Sequence, residues 1–263
     1  MTDNILLEVS KGIARLTLNR PDVRNAFDDR LIATLNTMLD DLAAREDLRL
    51  LVLTGAGKAF SAGADLNWMR RMAGYSRDEN LADAMELARL LRRLNEFPRP
   101  VIGLINGPAY AGAVGLVSCC DIVLASDQAS FAISEVKLGL IPATISPYVV
   151  AAIGEREARR YFLSADVFDA AEAKRIGLVH EVVPHDDLSE AGEKLIGRML
   201  KNSPDAMSAS KPLIRSVTGR PVDEELMTHT AAGIADIRAS VQGQEGVTAF
   251  LEKRKPDWVQ ETE

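Results

Sequence analysis

The sequence predicts a mixed α/β core built from repeated ββα units, followed by a region that contains helices alone. Two strands followed by a helix recur about three times in the first part of the chain. From Leu188 onward only helical patterns occur, and prolines at 204, 212 and 221 separate them. We therefore expect the core in residues 1–195 and a helical C-terminal region in residues 196–263.

The composition is that of a globular protein with one large core. The chain has 263 residues, of which 47% are hydrophobic and 26% are charged. No apolar run reaches the length of a membrane span, and the N-terminal Met1–Asn4 lacks the basic and apolar parts of a signal peptide. We expect a cytoplasmic protein that does not bind membranes.

The net charge and the positions of the cysteines and histidines argue against nucleic acid and metal ions as partners. The net charge of −7 does not favour binding to nucleic acid. Cys119 and Cys120 are adjacent in an apolar segment, as is typical of buried free thiols, and the three histidines show no metal-binding spacing. The sequence therefore predicts no metal site, although a few local basic groups would suffice to bind an acidic small molecule.

The first elements are a hairpin and a helix. Ile5–Val9 and Ile13–Leu18 read as strands joined by a turn at Lys11–Gly12. A helix is predicted over Asp28–Ala44, because its leucines recur at helical spacing, and a further strand is predicted from Leu48.

The middle of the chain continues the alternation. Ser76 and Glu79 form a capping-box signature that opens a helix, which Pro98 and Pro100 end. The strand at 101–105 follows, and then a helix through Cys119 with strands at 121–125 and 130–133. The last convincing helices are predicted at 222–240 and 244–253.

Two of the strands run into glycine-bearing turns that start helices. The first turn is Phe60–Leu66 and the second is Asn106–Val114. Helix N-termini carry free N–H groups and the positive end of the helix dipole, so two facing turns can bind one developing oxyanion. Glu135, which follows the apolar residues 131–133, is then the candidate proton carrier. The alternative is that both turns are ordinary connections and that Glu135 is a solvated residue at a strand end.

An ordered set of segments resembles the crotonase family, also called the enoyl-CoA hydratase/isomerase family. The matching segments are Asn19–Pro21 with Asn25–Ala26, Gly57–Leu66, Asn106–Gly107 with Gly112, Cys120–Ile122, Phe131–Gly139, Glu172–Leu178 and Phe250–Lys255. The resemblance implies a spiral of ββα turns and a C-terminal helical region used for trimerisation, as a homotrimer or a dimer of trimers. It also implies an acyl-CoA substrate, with coenzyme A as part of that substrate and no other cofactor.

The resemblance also implies roles for individual residues. The backbone N–H groups of Ala64 and Gly112 form the oxyanion hole, and Glu135 is the catalytic carboxylate. The predicted substrate-binding residues are Arg24, Lys58, Ala62, Asp65, Leu66, Trp68, Tyr110, Phe250 and Lys253. Alternatives remain for several of them, since Asp65 is well placed to cap a helix, the cations are by default solvated, and Trp68 and Tyr110 are equally suited to the core.

Two departures from the family pattern narrow the expected chemistry. The second glutamate of typical hydratases falls on Gly115, and Ile141–Pro147 replaces a glycine-rich run. With Asn67–Met69, these features resemble the bacterial 3-methylglutaconyl-CoA hydratase-like branch of leucine degradation. We therefore expect a hydratase for a branched, carboxylated enoyl-CoA, which would prefer that substrate to crotonyl-CoA. The alternatives are an enoyl-CoA isomerase that needs one glutamate, and a non-catalytic acyl-CoA- or RNA-binding relative.

Overall fold

The computed structural model describes residues 4–259 and has a mixed α/β architecture, as predicted. Residues 1–3 and 260–263 lie outside the described residues. The first three residues of the segment Met1–Asn4 therefore lie outside them as well. The strands are β1 (Ile5–Ser10), β2 (Ile13–Leu18), β3 (Leu50–Gly55), β4 (Val101–Ile105), β5 (Ala109–Tyr110), β6 (Ile122–Ser126), β7 (Ser130–Ala132), β8 (Phe168–Asp169) and β9 (Glu181–Val183).

The helices alternate with the strands until residue 187 and then follow one another. They are α1 (Asp29–Ala43), α2 (Leu66–Met72), α3 (Arg77–Asn95), α4 (Gly112–Cys119), α5 (Ser146–Ser164), α6 (Ala170–Arg175), α7 (Leu188–Met199), α8 (Pro204–Val217), α9 (Glu224–Ala239) and α10 (Val241–Leu251). The predicted capping box at the start of α3 is confirmed, because Ser76 and Glu79 each bind the other's backbone. β3 begins at Leu50 rather than Leu48, because the Leu48 carbonyl accepts a hydrogen bond from the Arg99 side chain.

A six-stranded sheet has the order β1-β2-β3-β4-β6-β9. The β1–β2 hairpin is antiparallel and every other pair is parallel. Parallel strands buried on both faces read as continuous apolar runs, and β3 and β4 have that pattern. The carboxyl ends of these parallel strands therefore meet at one edge of the sheet.

A second, smaller sheet is formed by three short strands, of which β5 follows β4, β7 follows β6 and β8 follows α5. Its order is β5-β7-β8, and an isolated parallel bridge adds Ser61 beside Ala109. A further bridge joins Phe27 to Ala64. β5 and β7 are the second members of predicted ββα units, since each follows a long strand and precedes a helix.

The large sheet carries one core on each face. One face packs against α1, α3, α4 and α5 in the main apolar cluster, while Leu188 and Ile196 of α7 cover the other. The domain boundary that we predicted at residues 195 and 196 falls inside α7, which packs on the sheet along its whole length. The exclusively helical part of the chain that does not belong to this sheet begins at α8.

An ion pair with a buried lysine attaches the C-terminal helices to the core. Lys211 of α8 lies 2.7 Å from Asp121 and also donates to the Arg99 carbonyl at 3.1 Å. Asp121 in turn accepts from the N–H of Val101 at the start of β4. Several large apolar side chains on α9 and α10 are exposed, including Phe250 at 82%. No helix within residues 4–259 is long and apolar enough to cross a membrane.

Candidate active site

Three segments of the small sheet bring the two turns and Glu135 to the same edge. The N–H of Ser61 donates to Pro108 at 3.1 Å, and the N–H of Tyr110 donates to Ser61 at 3.0 Å. Ala109 pairs in turn with Phe131. In this parallel register Ser61, Ala109 and Phe131 lie side by side, so Ala64, Gly112 and Ser134, each three positions later, follow the same ends of neighbouring segments. Glu135 is the next residue.

Each turn exposes one backbone N–H directly after a residue with positive φ. Gly63 has φ 90° and precedes Ala64, while Ala111 has φ 51° and precedes Gly112. A Cβ built on Gly63 would lie 3.0 Å from the Tyr110 carbonyl oxygen, so the two turns are in direct contact. Among the hydrogen bonds of residues 4–259, the N–H groups of Ala64 and Gly112 have no acceptor. Two adjacent, unoccupied donors are suited to bind an oxyanion.

Glu135 begins a short 3₁₀ turn, Glu135–Leu138, at the end of β7. Its Oε2 atom is buried and has no hydrogen-bond partner within the described residues. Burial raises the pKa of this carboxyl, and hydrogen bonds from its own N–H and that of Ser134 offset only part of the rise. A carboxyl with a raised pKa exchanges protons more readily near neutral pH, as a general acid or base requires.

Asp65 braces the first turn. Its carboxylate accepts from the N–H of Asn67 at 2.8 Å and from the N–H of Trp68 at 3.3 Å, which caps α2. It also pairs with Arg20 at 3.0 Å. Burial alone would raise the pKa of Asp65, but the two N–H groups and Arg20 outweigh it and lower the pKa. These contacts match the capping role that the sequence offered as an alternative to substrate binding.

A groove of about 550 Å³ opens beside Ala64. Its lining includes four of the predicted substrate-binding residues, namely Arg24, Ala62, Asp65 and Leu66, and adds Arg70. Within the described part of the chain neither Arg24 nor Arg70 forms an ion pair. The groove therefore offers two guanidinium groups to an anionic ligand. The carboxylates of Asp22 and Asp65 also line it, and that of Asp65 is already paired with Arg20.

Other predicted substrate-binding residues lie apart from this groove. Trp68 is buried and donates from Nε1 to Asp83 at 3.1 Å, while the Tyr110 hydroxyl lies 2.9 Å from that of Ser130. Lys58 lines a separate depression of about 400 Å³. Phe250 is on α10 and Lys253 follows it, and neither lines the groove of its own chain.

The space beside Gly115 is filled by Ile145. A Cβ built on Gly115 would overlap Ile145 Cγ2 and would lie 2.9 Å from Ile145 Cβ. The sequence already departs from the family at both places, but it does not indicate that the two residues touch. A glutamate at position 115 has no room unless Ile145 moves, so the Gly115→Glu change alone cannot supply a second carboxylate here.

The structure adds site residues that the sequence reasoning missed. Arg70 reaches the groove because it lies one helical turn after Leu66, and its guanidinium donates to Asn67 at 2.7 Å. The only sequence signal for placing Arg70 at the groove is that it follows Leu66 by four residues on α2. Ser130 and Asp83 fix Tyr110 and Trp68 across contacts distant in sequence, for which the sequence carries no signal.

Thiols and metal ligands have no evident part in this site. Cys119 and Cys120 are buried free thiols, as predicted, and burial raises the pKa of each thiol. Residues 4–259 contain no group of three or more histidine, cysteine, aspartate or glutamate side chains that could hold a metal ion.

Comparison with known proteins agrees with this geometry. The family model for enoyl-CoA hydratase/isomerase matches residues 8–261. The chain belongs to the enoyl-CoA hydratase/isomerase family. The crystal structure of an enoyl-CoA hydratase from Shewanella pealeana superposes with a TM-score of 0.94 at 46% identity, covering 97% of this chain and 96% of that one. The predicted family and its crotonase fold are therefore confirmed.

Characterised relatives within the family have different substrates in their names. The 2,3-dehydroadipyl-CoA hydratase of Escherichia coli is 32% identical over 97% of this chain and 98% of its own length. The crotonyl-CoA hydratase of Syntrophomonas wolfei is also 32% identical, over 98% of each chain. One of these substrates carries a second carboxylate and the other does not, so overall identity does not select the acyl group.

Proposed function

We propose that the enzyme adds water across the double bond of a branched, carboxylated enoyl-CoA of the 3-methylglutaconyl-CoA type. The observation that carries the proposal is the buried, unpartnered Oε2 of Glu135, which follows the same small sheet whose turns leave the N–H groups of Ala64 and Gly112 free. Coenzyme A enters as part of the substrate, and no separate cofactor takes part. A place in leucine degradation follows from that choice of substrate.

In the proposed reaction the two N–H groups hold the thioester oxygen. Glu135 takes a proton from water as the hydroxyl oxygen bonds to Cβ, and the electrons of the double bond move to form the enolate. Negative charge on the thioester oxygen is then stabilised by Ala64 and Gly112. The protonated Glu135 returns its proton to Cα, so that one carboxyl serves both steps and water is added without any net change in the enzyme.

The groove supports an acidic thioester as the substrate. Arg24 and Arg70 offer two guanidinium groups beside Ala64, and phosphate or carboxylate groups pair well with guanidinium. The Escherichia coli relative named for 2,3-dehydroadipyl-CoA is a precedent for a carboxylated acyl group on this fold. Prediction of the 3-methylglutaconyl branch rests on the sequence features at positions 67–69, 115 and 141–147.

The direct test is a panel of enoyl-CoA substrates followed by mass spectrometry. We expect 3-methylglutaconyl-CoA to gain one water at least about tenfold faster than crotonyl-CoA, because a pocket that pairs with a second carboxylate discriminates against a substrate lacking it. Faster hydration of crotonyl-CoA would contradict the carboxylated substrate while leaving the hydratase activity intact.

A second candidate is an enoyl-CoA isomerase, and one observation favours it. Glu135 has a buried carboxylate oxygen without a hydrogen-bond partner among the described residues, and moving a double bond needs only one carboxylate. Isomerisation leaves the mass unchanged and alters the chromatographic retention. A product of unchanged mass from every substrate would select the isomerase over the hydratase.

Glu135→Gln tests the proton carrier under either reaction. We expect turnover to fall by roughly 10² to 10⁴, the range for loss of a general acid or base, with acyl-CoA affinity retained. Glu8→Gln is the control, because Glu8 is an exposed carboxylate on β1. Turnover close to wild type in Glu135→Gln would remove Glu135 from the mechanism.

The raised pKa of Glu135 predicts the sign of a stability change as well. Burial makes the ionised carboxylate costly, so the native state loses stability as the pH rises through the ordinary carboxyl range toward the raised pKa. Above that pKa the cost is fully present, and Glu135→Gln removes it. The variant is therefore expected to melt about 1 to 3 °C higher at pH 7 and to lose this advantage below pH ~4. An advantage that grows toward acid pH would contradict a raised pKa.

Assembly and location remain proposals. The exposed apolar side chains of α9 and α10 support a homotrimer or a dimer of trimers, in which Phe250 and Lys253 approach a neighbouring subunit's substrate. Light scattering tests the trimer, and a monomer at working concentrations would contradict it. We propose a cytoplasmic location, which cell fractionation tests, and we propose that neither nucleic acid nor a membrane is a partner.

A further inference from the structure

The short helix α2 has two faces with different surroundings. Leu66, Asn67 and Arg70 line the open groove beside Ala64. Trp68 is 5% exposed and lies on the other face, because residues 66 and 70 are about one helical turn apart while residue 68 is about half a turn from both. The position of Trp68 inside the molecule therefore determines how α2 presents Arg70 and Leu66 to the groove.

Asp83 of α3 accepts the hydrogen bond of this buried indole. Trp68 Nε1 donates to Asp83 Oδ1 at 3.1 Å, and 15 positions separate the two residues. Burying an indole N–H without an acceptor is costly, so this contact favours the observed position of Trp68. Partial burial raises the pKa of the Asp83 carboxyl, and the Trp68 N–H offsets part of that rise, while Asp29 adds to it and Arg71 opposes it. A partly desolvated carboxylate thus holds the inner face of α2.

The other polar attachments of α2 constrain it less on this face. Asp65 caps its first turn and so holds the start of the helix. Arg71 pairs with Asp29 of α1 at 2.6 Å, but both side chains are about half exposed, and exposed ion pairs contribute little. The bond from Trp68 to Asp83 is directional and lies on the buried face. It therefore opposes rotation of α2 about its own axis.

We propose that Asp83 is a positioning residue for the groove, which through Trp68 holds α2 in the orientation that presents Arg70 to an anionic group of the ligand. Asp83 itself does not line the groove. The Arg70 guanidinium, which donates to Asn67 at 2.7 Å, is one of the two that the groove offers to an anion. Phosphate and carboxylate groups both pair with guanidinium. This proposal rests on the proposed acyl-CoA function and adds to it a residue outside the groove.

The role of Asp83 is tested by calorimetry with glutaryl-CoA, a saturated thioester that cannot be hydrated. We expect Asp83→Ala to raise the dissociation constant by about tenfold, because misplacing a binding group by about 1 Å is costly. Asp83→Asn should restore most of the affinity, since its amide oxygen still accepts the indole N–H. Trp68→Phe keeps an aromatic ring but removes the N–H, so it should weaken binding as Asp83→Ala does. Asp78→Ala is the control, because the Asp78 side chain is 92% exposed on the same helix.

A second thioester, butyryl-CoA, identifies the group that Arg70 binds. It carries the phosphates of coenzyme A but lacks the second carboxylate of glutaryl-CoA. Similar losses for both thioesters in Asp83→Ala would support the proposal with phosphate as the partner of Arg70, and a loss for glutaryl-CoA alone would support it with carboxylate. Unchanged dissociation constants for both thioesters in a folded Asp83→Ala protein would overturn the proposal.

Double variants test whether Asp83 acts through α2. Once Arg70 is alanine, Asp83→Ala should weaken glutaryl-CoA binding by less than about twofold, although side chains that share no partner normally give additive losses. The combination of Asp83→Ala with Trp68→Phe should bind no more weakly than the weaker single variant. Additive losses for Asp83→Ala and Arg70→Ala would overturn the route through α2.

Trp68 also reports this contact without any ligand. The chain has two tryptophans, Trp68 and Trp258, so Trp258→Phe leaves the fluorescence of Trp68 alone. In that background we expect Asp83→Ala to increase acrylamide quenching by about twofold, because an indole N–H that has lost its acceptor moves toward water. Asp83→Asn should change the quenching little. Equal quenching with and without the Asp83 carboxylate would overturn its role at Trp68.

Failure of this inference is separate from failure of the proposed hydration. The hydration is judged on the wild-type enzyme by the mass of products from enoyl-CoA substrates, whereas the tests of Asp83 need no turnover. Absence of a hydrated product with intact thioester binding would remove the hydration and leave the role of Asp83. Absence of thioester binding to the wild type would overturn both.

Discussion

The two turns that supply the candidate oxyanion donors share one backbone conformation, but different interactions stabilise that conformation in each turn. In each turn a positive-φ residue precedes the free N–H, namely Gly63 before Ala64 and Ala111 before Gly112. The first turn uses glycine, which adopts positive φ without steric cost, and its helix is capped by Asp65. The second turn uses alanine and its helix has no side-chain cap. The comparison shows that neighbouring structure can replace local sequence preference.

The neighbouring structure that holds the second turn is the small sheet. The N–H of Ala111 donates to the carbonyl of Ala132 at 2.8 Å, and the N–H of Tyr110 donates to Ser61. Alanine at φ 51° costs about 1 to 2 kcal/mol, and these bonds on both sides offset that strain.

The first turn also has long-range partners, because the Gly63 carbonyl accepts from the N–H of Phe27 and the N–H of Asp65 donates to Phe27, both at 2.7 Å. The two turns therefore differ in the residue at positive φ and in the helix cap, while neighbouring segments hold both.

The largest expected effect comes from removing the donor of the second turn. Gly112→Pro deletes one N–H at the first position of α4, where proline otherwise suits a helix, and should lower turnover by at least about 10². Gly112→Ala is the matched control, since it keeps the N–H and its Cβ would lie 3.4 Å from Phe27 Cε2. Steady-state kinetics with circular dichroism measures both effects. A folded Gly112→Pro enzyme with wild-type turnover would show that this N–H is not a donor.

The next effect concerns the glycine of the first turn. Gly63→Ala places a side chain at φ 90° and brings its Cβ 3.0 Å from the Tyr110 carbonyl oxygen. We expect the free energy of unfolding to fall by about 1 to 3 kcal/mol in chemical denaturation. Gly197→Ala is the control, because Gly197 lies in α7 with open space around it and should tolerate the change. Equal stability of the two variants would contradict the strain argument.

The cap of the first turn should have a smaller effect. Asp65→Ala removes the acceptor for two N–H groups of α2 and one partner of Arg20, and should cost about 1 to 2 kcal/mol. Asp65→Asn retains a capping oxygen and should lose less. Thermal denaturation of the two variants measures the difference. An equal loss for asparagine and alanine would mean that charge rather than capping stabilises this turn.

The smallest effect is a gain of stability in the second turn. Ala111→Gly relieves strain of about 1 to 2 kcal/mol in the folded state. The extra conformational freedom of glycine in the unfolded chain lowers the free energy of unfolding by about 0.5 to 1 kcal/mol, which offsets part of that gain. We expect a net gain of about 0.5 kcal/mol in chemical denaturation. Ala111 Cβ also lies 3.3 Å from a Cβ built on Gly63, so Ala111→Gly should partly rescue Gly63→Ala. A net loss would indicate that packing of the methyl group outweighs the strain.

The local signals in the sequence predicted most of the fold. The β1–β2 hairpin, α1 and the capping box at Ser76 all appear where hydrophobic spacing and the capping signature predicted them, although Asp28, predicted as the first residue of α1, is its N-cap. Several errors fall at element ends, as at Leu48, whose carbonyl accepts a bond from the Arg99 side chain. The prediction that Pro212 separates two helices was wrong, because Pro212 lies inside α8, where it removes one backbone donor without ending the helix. Short-range patterns determine elements because the interactions that form them are themselves short-range.

The sequence alone determined the family, the two glycine-bearing turns and Glu135 as the candidate proton carrier. Each of these three features depends on residues that are contiguous in the sequence. The tertiary structure decided how these parts combine. Register in the small sheet brings Ala64, Gly112 and Glu135 to one edge, and burial raises the pKa of Glu135. Packing placed Ile145 in the space beside Gly115. The sequence pattern does not predict this contact, because two residues 30 positions apart meet only when α4 and α5 pack together.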